Sequence, residues 1–293
     1  MKVVANQAPK MGGKENLRIF LKGDASVADS LLSMDEGGRS ISKGFRALVE
    51  EKYEGRFIPQ FIYEPFGRVD LILQQLEQSG IPQELHDLGL GKDEFIQAQF
   101  RSALFESESD IVVLSIGAEV AYPLWKSRKH GYFVSAPLDG EGVWSAELRQ
   151  AFQERFEVVG FPPIEDFKQT YTQLIKAIKA RLDAHVIVFN ASSFDPKDLT
   201  HRYRGVQDSL SQQIHRLNFA LMQLSVSEGI SIIDTDRVIA EHRGGAQTHI
   251  SKPLHYSKEA HQALCGEFLR VLEDIGFFEA RPLVMQVGNK GRK

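Results

Sequence analysis

The sequence predicts an α/β fold, a flavodoxin-like three-layer α/β/α sandwich with a mainly parallel sheet. The run DIVVLSIG (110–117) is rich in β-branched residues and shows no alternation of apolar and polar positions. Strands that helices cover on both faces have this composition. Similar apolar runs alternate with helical runs along most of the chain, which indicates βαβ units. Right-handed crossovers between such units place helices on both faces of one sheet.

Five short apolar runs are the predicted strands of that sheet. In the second of them, Pro59 predicts an edge strand or a bulge, because proline cannot donate to the ladder of a central strand. The five runs are LRIFLKG (17–23), RFIPQFIYE (56–64), DIVVLSIG (110–117), AHVIVFN (184–190) and GISIIDTD (229–236).

Helical spacing of apolar residues predicts helices between these strands. Gly80 and Gly276 mark the ends of two of them, since glycine commonly follows the last turn of a helix. The predicted helices lie within residues 26–34, 69–80, 163–182, 205–228 and 258–276.

One domain accounts for most of the chain. We expect a flexible lead-in at 1–16, a single α/β domain at 17–277 and a tail at 278–293. Residues 121–162 fit the alternation poorly, and we interpret them as an insertion near the site that acts as a lid, or as a surface excursion without a role. The apolar piece PLVMQV (282–287) predicts either a homodimer contact or a docked C-terminus.

Charge and composition argue against several classes of partner. The 293 residues carry a formal net charge of -4, so no basic surface for nucleic acid is expected. No run of about 18 apolar residues and no signal-peptide pattern occurs, which predicts a cytoplasmic protein without a membrane span. The single cysteine, Cys265, lies in an apolar helical run and is interpreted as a buried, inert thiol. No phosphate-loop spacing or short-spacing pair of metal ligands occurs, so we expect a small-molecule substrate and neither cofactor nor metal.

The chemistry is expected where strands of a parallel sheet end, because ligands bind beyond their carboxyl ends. A further loop leads into the last predicted helix. The segments selected in this way are 23–26, 66–68, 117–119, 190–193 and 252–257.

The order of motifs in these segments resembles that of the SGNH/GDSL hydrolases. In that family Gly-Asp-Ser ends the first strand, a lone Gly follows the second, Gly-x-Asn follows the third, and Asp-x-x-His precedes the last helix. The resemblance spans about residues 17–275. The corresponding pieces are GDAS at 23–26, FGRVDLIL at 66–73, IGAEV at 116–120 and KPLHYSKEA at 252–260.

This resemblance implies an ester or acyl hydrolase, or an acyltransferase that uses the same site. In the family the serine attacks the carbonyl, the histidine moves the proton, and the aspartate orients the histidine. The serine N–H, the lone Gly N–H and the Asn amide hold the oxyanion. By their match to the motifs, His255 would be the general base and Gly67 an oxyanion donor.

Three positions depart from the family pattern. Ala25 stands where the serine is expected, and alanine has no nucleophile. Lys252 stands where the aspartate is expected, and a lysine repels an imidazolium. Glu119 stands at the Asn position, and an ionised carboxylate only accepts hydrogen bonds.

Three hypotheses account for these departures. Ser26, one position further on, is the nucleophile; or Ala25 replaces a catalytic serine that was removed on purpose; or the protein has left serine hydrolysis. In the third case it is a non-catalytic binding protein or an enzyme with a non-serine mechanism. A metal held by Asp24, Glu119 and His255 is one form of the latter, and a salt-bridged cluster with Lys252 or Lys22 is the alternative to it.

Further candidates would contact the substrate. Asp24 and Gly117 flank the motif positions, and Ser192 follows the end of a strand. A serine at such a position more often forms a turn or a cap in which its hydroxyl accepts from the backbone. Three aromatic side chains are candidates for an apolar acyl pocket or for ordinary core: Tyr63, Phe66 and Trp125.

Overall fold

The computed structural model describes residues 15–32, 44–78, 80–136, 144–194 and 209–279. The predicted lead-in and C-terminal tail therefore lie outside the described residues, apart from 15–16 and 278–279.

Ten strands occur in this described part of the chain, and all five predicted strands are among them. The strands are β1 (Glu15–Gly23), β2 (Phe57–Pro65), β3 (Ile111–Ser115), β4 (Leu124–Ser127), β5 (Phe133–Ser135), β6 (Phe156–Val158), β7 (His185–Phe189), β8 (Ser231–Ile233), β9 (Ile250–Lys252) and β10 (His255–Tyr256).

The predicted helices are also present, and short helices fill the longer connections. The α-helices of the described ranges are α1 (Ala25–Leu32), α2 (Phe45–Lys52), α3 (Val69–Glu77), α4 (Gln83–Asp87), α5 (Glu94–Gln99), α6 (Gly117–Ala121), α7 (Ala146–Arg155), α8 (Ile164–Leu182), α9 (Leu210–Glu228), α10 (Thr235–Glu241), α11 (Gly245–His249) and α12 (Lys258–Asp274).

The central sheet has five strands in the order β2-β1-β3-β7-β8. Every neighbouring pair in it is parallel. In chain order of these five strands this is 2-1-3-4-5, the order of flavodoxin-like folds, which bind ligands where the strand order reverses. That reversal lies between β1 and β3, so the loops after these two strands are the expected ligand site.

Two apolar cores, one on each face of the sheet, complete the three layers. Alternate residues of β1 point to opposite faces: Leu21 packs among residues of α1, α2 and α12, and Phe20 packs among residues of α3, α8 and α9. Helices on both faces of a parallel sheet confirm the predicted α/β/α sandwich.

The packing confirms two local predictions. β2, which contains Pro59, is an edge strand and pairs only with β1 in the central sheet. The Cys265 side chain is 1% exposed, and burial raises the pKa of its thiol to about 12, so it is an inert core residue.

Residues 121–162 contain a second, antiparallel sheet in the order β5-β4-β6. A separate apolar cluster covers it, in which the rings of Trp125 and Phe152 lie 5.4 Å apart and those of Phe152 and Phe156 lie 4.3 Å apart. The segment therefore packs with residues of α4 and α5, such as Leu85 and Ile96, in a core separate from those of the central sheet, while its function as a lid stays a prediction.

Of the helices that the structure describes, none is long and apolar enough to cross a membrane.

Candidate functional site

Asp24 lies at the junction between the carboxyl end of β1 and the start of α1. One of its carboxylate oxygens, Oδ1, accepts a hydrogen bond from the Ser26 backbone N–H at 2.8 Å and another from the Ser26 hydroxyl. A carboxylate that accepts from a free N–H of the first turn caps the helix and stabilises its start. The GDAS motif thus folds as a strand end, a helix cap and the first turn of α1.

The Ser115 hydroxyl, at the carboxyl end of β3, binds the other oxygen of Asp24. The Ser115 hydroxyl donates to Asp24 Oδ2 and accepts from the Gly117 N–H at 2.9 Å. A Cβ atom on Gly117 would lie only 1.9 Å from Asp24 Oδ2, so the close approach requires glycine. The candidate substrate-binding residues Asp24 and Gly117 are therefore in contact across the strand-order reversal.

Ala25 and Ser26 are the first two residues of α1, and they differ in exposure. The Ala25 side chain is exposed, whereas Ser26 is only 8% exposed. The accessible position therefore has no hydroxyl, and the neighbouring hydroxyl is buried and bonded to the Asp24 carboxylate.

Gly67 packs against the end of β1. A Cβ atom there would lie 2.8 Å from the Lys22 carbonyl oxygen and 3.3 Å from Gly23 Cα, so no other residue fits without moving the strand. The preceding residue, Phe66, has a φ of 62°, in the left-handed region that a bulky side chain rarely adopts. Such strain costs roughly 1–3 kcal/mol and is frequent at ligand sites.

Glu119 is buried and faces the start of α3. Its Oε1 atom accepts from the Val69 backbone N–H at 2.8 Å and lies 3.5 Å from the Tyr171 hydroxyl. Its Oε2 atom has no hydrogen-bond partner among the described residues. Within those residues the Glu119 side chain thus bonds to α3 and α8, and not to the Asp24 cluster.

Burial raises the pKa of Glu119 to about 7. The Arg68 guanidinium opposes this shift, and the Asp70 carboxylate adds to it. Arg68 is itself 3% exposed and donates to Asp70 at 2.8 and 3.1 Å and to the Tyr122 carbonyl at 2.8 Å. The fully ionised Glu119 that the sequence analysis assumed is therefore only part of the population near pH 7.

His255 lies on the exposed ribbon formed by β9 and β10, opposite Lys252 in the antiparallel register. Both side chains are exposed. Among the described residues the imidazole makes one hydrogen bond, between Nδ1 and the Pro253 carbonyl oxygen at 3.0 Å. Because a carbonyl only accepts, this contact places the proton of a neutral ring on Nδ1 and leaves Nε2 as the basic nitrogen.

Tyr256, the next residue, packs against His261, and their ring centroids lie 5.8 Å apart. The Tyr256 hydroxyl oxygen accepts from the Ser192 backbone N–H at 3.3 Å. Burial raises the pKa of Tyr256, the hydrogen bond from Ser192 opposes this shift, and the charges of Asp24 and Asp236 add to it. Leu254, the residue before His255, has a φ of 64°. Strained residues therefore precede both motif matches, Gly67 and His255.

Sequence reasoning missed His261, which lies on α12. Its Nδ1 atom is 2.8 Å from the Ser30 hydroxyl, and that hydroxyl donates to the Ser26 carbonyl at 2.7 Å. Burial lowers the pKa of His261, against the raising effect of Asp24, so the ring is mainly neutral near pH 7. His261 lies one helical turn beyond Ser257, the cap of α12, and no local pattern in the sequence indicates its contact with Ser30.

Ser192 is a structural residue of the loop after β7. Its hydroxyl donates to Asp236 at 2.9 Å and accepts from the Phe194 N–H at 3.3 Å, as in a serine turn. It is 1% exposed, and its substrate contact stays a prediction.

The expected meeting of Asp24, Glu119 and His255 is not found. No group of three or more His, Cys, Asp or Glu side chains in the described residues could hold a metal ion. The expected salt bridge with Lys22 is not found either, since the buried Lys22 amine lies 2.8 Å from Glu64. The metal hypothesis was wrong because Glu119 points into the core behind the sheet edge.

The aromatic candidates separate into two groups. Trp125 belongs to the core of the antiparallel sheet. Phe66 is partly exposed and packs with Phe95 at 4.1 Å and with Tyr122 at 5.3 Å between ring centroids. Tyr63 is 38% exposed, and its pKa is raised to about 12 by burial and then by Asp24. The partly exposed aromatic cluster around Phe66 thus includes Tyr122, whereas Trp125 is buried in another core.

No protein-family model and no curated protein matches the sequence. Several solved structures are similar to the chain along most of its length, and they are lipases and esterases. An acetyl-xylooligosaccharide esterase from Geobacillus stearothermophilus shares 14% identity over 92% of this chain and 98% of its own, with a TM-score of 0.49.

Two further structures of this kind are similar. A lipase/acylhydrolase from Enterococcus faecalis shares 12% identity over 88% of this chain and 96% of its own, with a TM-score of 0.44. An extracellular lipase from Streptomyces rimosus shares 15% identity over 88% of this chain and 99% of its own, with a TM-score of 0.43. At these identities the likeness says nothing about which site residues the chains share.

Proposed function

We propose that the protein is an SGNH-type ester or acyl hydrolase in which His255 is the general base and a water molecule is the nucleophile. The observation that carries the proposal is the contact between His255 Nδ1 and the Pro253 carbonyl oxygen at 3.0 Å. It gives the carbonyl the orienting role that a carboxylate has in a serine triad. The basic Nε2 atom then belongs to an exposed ring, where a substrate and a water molecule have access.

The water molecule, the ester and the His255 imidazole account for every bond and proton of the reaction. His255 Nε2 takes a proton from the water as the water oxygen bonds to the acyl carbon. The tetrahedral intermediate then collapses, the bond to the leaving alkoxide breaks, and the imidazolium returns the proton to that alkoxide. An acid and an alcohol are the products, and the imidazole is neutral again.

Water is favoured over Ser26 because of the first turn of α1. The Ser26 hydroxyl is buried and donates to the Asp24 carboxylate, so attack would break this bond. The exposed methyl group of Ala25 leaves room at the position where the family has its serine hydroxyl. The Gly67 N–H and the Ala25 N–H are the candidate oxyanion donors, because the Ser26 N–H already donates to Asp24.

Ester hydrolysis with four proteins tests this proposal: the wild type, His255→Ala, Ser26→Ala and Ala25→Ser. We expect wild-type turnover of p-nitrophenyl acetate above background, loss of it in His255→Ala, and little change in Ser26→Ala. Mass spectrometry of the quenched wild-type reaction should detect no acyl-enzyme, because water attacks directly. An acyl group on Ser26, or a burst that Ser26→Ala abolishes, would make Ser26 the nucleophile instead.

The Ala25→Ser variant distinguishes a water mechanism from a lost serine mechanism. A gain of activity that requires His255, with an acyl group on the new serine, would mean that the site is built for a serine nucleophile. Unchanged activity would leave the water mechanism in place.

A non-catalytic binding protein is the second candidate. It is favoured by the absence of a free hydroxyl at Ala25 and by the engagement of the Ser26 hydroxyl with Asp24. Background rates for all four proteins, together with saturable binding of an ester or its product, would support this candidate over the hydrolase.

A further inference from the structure

The interface between α1 and α12 contains a polar pair among apolar side chains. The Ser30 hydroxyl on α1 and the His261 Nδ1 atom on α12 lie 2.8 Å apart, and Ser30 is 2% exposed. Apolar groups of the same shape can replace a buried hydrogen-bonded pair at little cost, so packing alone does not account for this pair. The apolar residues of the interface belong to one core: Val27, Ala28 and Leu31 on α1, and Leu264, Cys265 and Phe268 on α12.

The hydrogen bonds of this pair have a fixed direction. A serine hydroxyl has one proton, and Ser30 donates it to the Ser26 carbonyl at 2.7 Å. Ser30 Oγ therefore accepts from His261 Nδ1, which places the proton of the neutral ring on that nitrogen. Burial lowers the pKa of His261, and the charge of Asp24 opposes this shift, so the ring is mainly neutral near pH 7. His261 thus acts through Ser30 on the first turn of α1.

The His261 ring also contacts the ribbon that carries the proposed general base. The ring centroids of His261 and Tyr256 lie 5.8 Å apart, and Tyr256 follows His255 in β10. The Tyr256 hydroxyl accepts from the Ser192 N–H at 3.3 Å, which attaches the far end of this ring to the loop after β7. His261 therefore touches both segments of the proposed site, the first turn of α1 through Ser30 and the β9–β10 ribbon through Tyr256.

We propose that His261 is a positioning residue that keeps the first turn of α1 and the His255 ribbon at a fixed separation, through its hydrogen bond to Ser30 and its contact with Tyr256. In the proposed reaction the Ala25 N–H and His255 Nε2 act on the same ester, so their separation decides whether both reach it. A displacement of about 1 Å can lower a rate about 10²-fold. The inference rests on the proposed function for its effect on the rate, but not for the coupling of the two segments.

A second histidine–serine pair of the chain is a matched control. His185 Nε2 lies 2.9 Å from the Ser231 hydroxyl, at the amino ends of the parallel strands β7 and β8. The candidate site lies at the carboxyl ends of the strands, so this pair is at the opposite edge of the sheet. Burial lowers the pKa of His185, as it does for His261. His185→Ala therefore removes a similar hydrogen bond away from the site.

Backbone amide spectra of ¹⁵N-labelled protein test the coupling without any turnover. Ser30→Ala changes only α1 and should nevertheless shift the amide signal of His255, and Tyr256→Leu changes only the ribbon and should shift that of Ala25. Neither cross-effect should occur in a His261→Ala background, because the link is then absent. Shifts confined to the substituted segment, or cross-effects that persist without His261, would overturn the proposal. Thermal melting shows which variants fold, and if His261→Ala does not, the cross-effects of Ser30→Ala and Tyr256→Leu decide alone.

The kinetics of p-nitrophenyl acetate hydrolysis test the effect on the rate. We expect Ser30→Ala and His261→Ala to lower kcat about 10- to 100-fold and to change KM less than about twofold, because a misplaced group weakens the transition state more than substrate binding. The double variant should be no slower than His261→Ala, since both substitutions remove the same hydrogen bond. His185→Ala should keep the wild-type kcat even where it loses as much thermal stability. A wild-type kcat in folded His261→Ala would overturn the positioning role.

The two measurements together separate this inference from the proposed function. Amide cross-effects with a lowered kcat in the variants support both. Cross-effects with background hydrolysis by the wild type would support the coupling and reject the hydrolase. Wild-type hydrolysis in folded His261→Ala, without cross-effects, would reject the positioning role and keep the hydrolase.

Discussion

Two carboxylates follow adjacent strands of the sheet, Asp24 after β1 and Glu119 after β3. They differ in exposure and in their hydrogen-bond partners. Asp24 is partly exposed, and both of its oxygens accept hydrogen bonds from neutral groups. Glu119 is buried beside the Arg68 guanidinium, with one oxygen bonded to Val69 and the other without a partner in the described residues.

This difference assigns the two residues to different tasks. A carboxylate that is satisfied without a cation keeps its negative charge available to a ligand. A carboxyl group that is buried with an unpartnered oxygen avoids the cost of desolvation by holding a proton, and it serves the packing of α3. Glu119 thus serves the packing of α3, and the role of Asp24 in substrate binding stays a prediction.

The largest expected effect comes from removal of the cation beside Glu119. Arg68→Ala leaves Glu119 and Asp70 without their buried partner and should lower the free energy of unfolding by about 3–5 kcal/mol. Arg128→Ala is the matched control, because Arg128 makes an exposed ion pair with Glu157, and it should cost about 0–1 kcal/mol. Urea unfolding at pH 7 measures both, and equal losses would remove the distinction between the buried cluster and the surface.

The pH dependence of stability reports the Glu119 proton. Its pKa is raised from 4.5 in the unfolded chain to about 7 in the fold. The native carboxyl therefore keeps a proton that the unfolded chain releases between these values. Its stabilising contribution is complete below pH 4.5 and is lost as the pH rises through about 7, at about 1.4 kcal/mol per pH unit.

Glu119→Gln removes this titration. The difference in unfolding free energy between wild type and variant should change by roughly 2–3 kcal/mol between about pH 5 and pH 7.5, with the wild type losing stability relative to the variant. Parallel stability curves for the two proteins would mean that Glu119 is ionised throughout.

The next largest loss of stability is expected where a substitution crowds the contact between Asp24 and Gly117. Gly117→Ala places a Cβ atom against Asp24 Oδ2 and should cost about 1–3 kcal/mol. Gly266→Ala, inside α12 with open space around the added atom, should instead stabilise the protein by about 0.5–1 kcal/mol. Thermal melting compares the two, and a neutral Gly117→Ala would show that the carboxylate has room to move.

The smallest effect is expected from the charge of Asp24 itself. Asp24→Asn keeps an oxygen for the Ser26 N–H but loses the charge at the helix start, and we expect a loss of about 1 kcal/mol. Urea unfolding at pH 7 measures this loss, and an unchanged free energy of unfolding would mean that the charge of Asp24 does not stabilise the start of α1.

The fold could be predicted because its signals are local. The uninterrupted apolar run of β3 and the proline of β2 each show their place in the sheet within a few residues. Gly67 could be selected because a glycine at a strand end commonly marks a close backbone approach, which here is to Lys22.

The site could be predicted only in part, because its contacts join distant segments. Ser30 meets His261 across 231 positions of the chain, and no pattern near either residue indicates the partner. The hydrogen bond between His255 Nδ1 and the Pro253 carbonyl is also invisible in the sequence, since every residue has a carbonyl. The homodimer, the cytoplasmic location and the lid stay predictions.

The central claim is that His255 is a general base, and the kcat/KM for p-nitrophenyl acetate tests it most directly. His215→Ala, at an exposed histidine of α9, controls for the weak reaction of any surface imidazole with this ester. We predict that His255→Ala lowers kcat/KM by about 10²–10⁴-fold and that His215→Ala leaves it unchanged. A wild-type rate at background, or equal rates for the two variants, would contradict the claim.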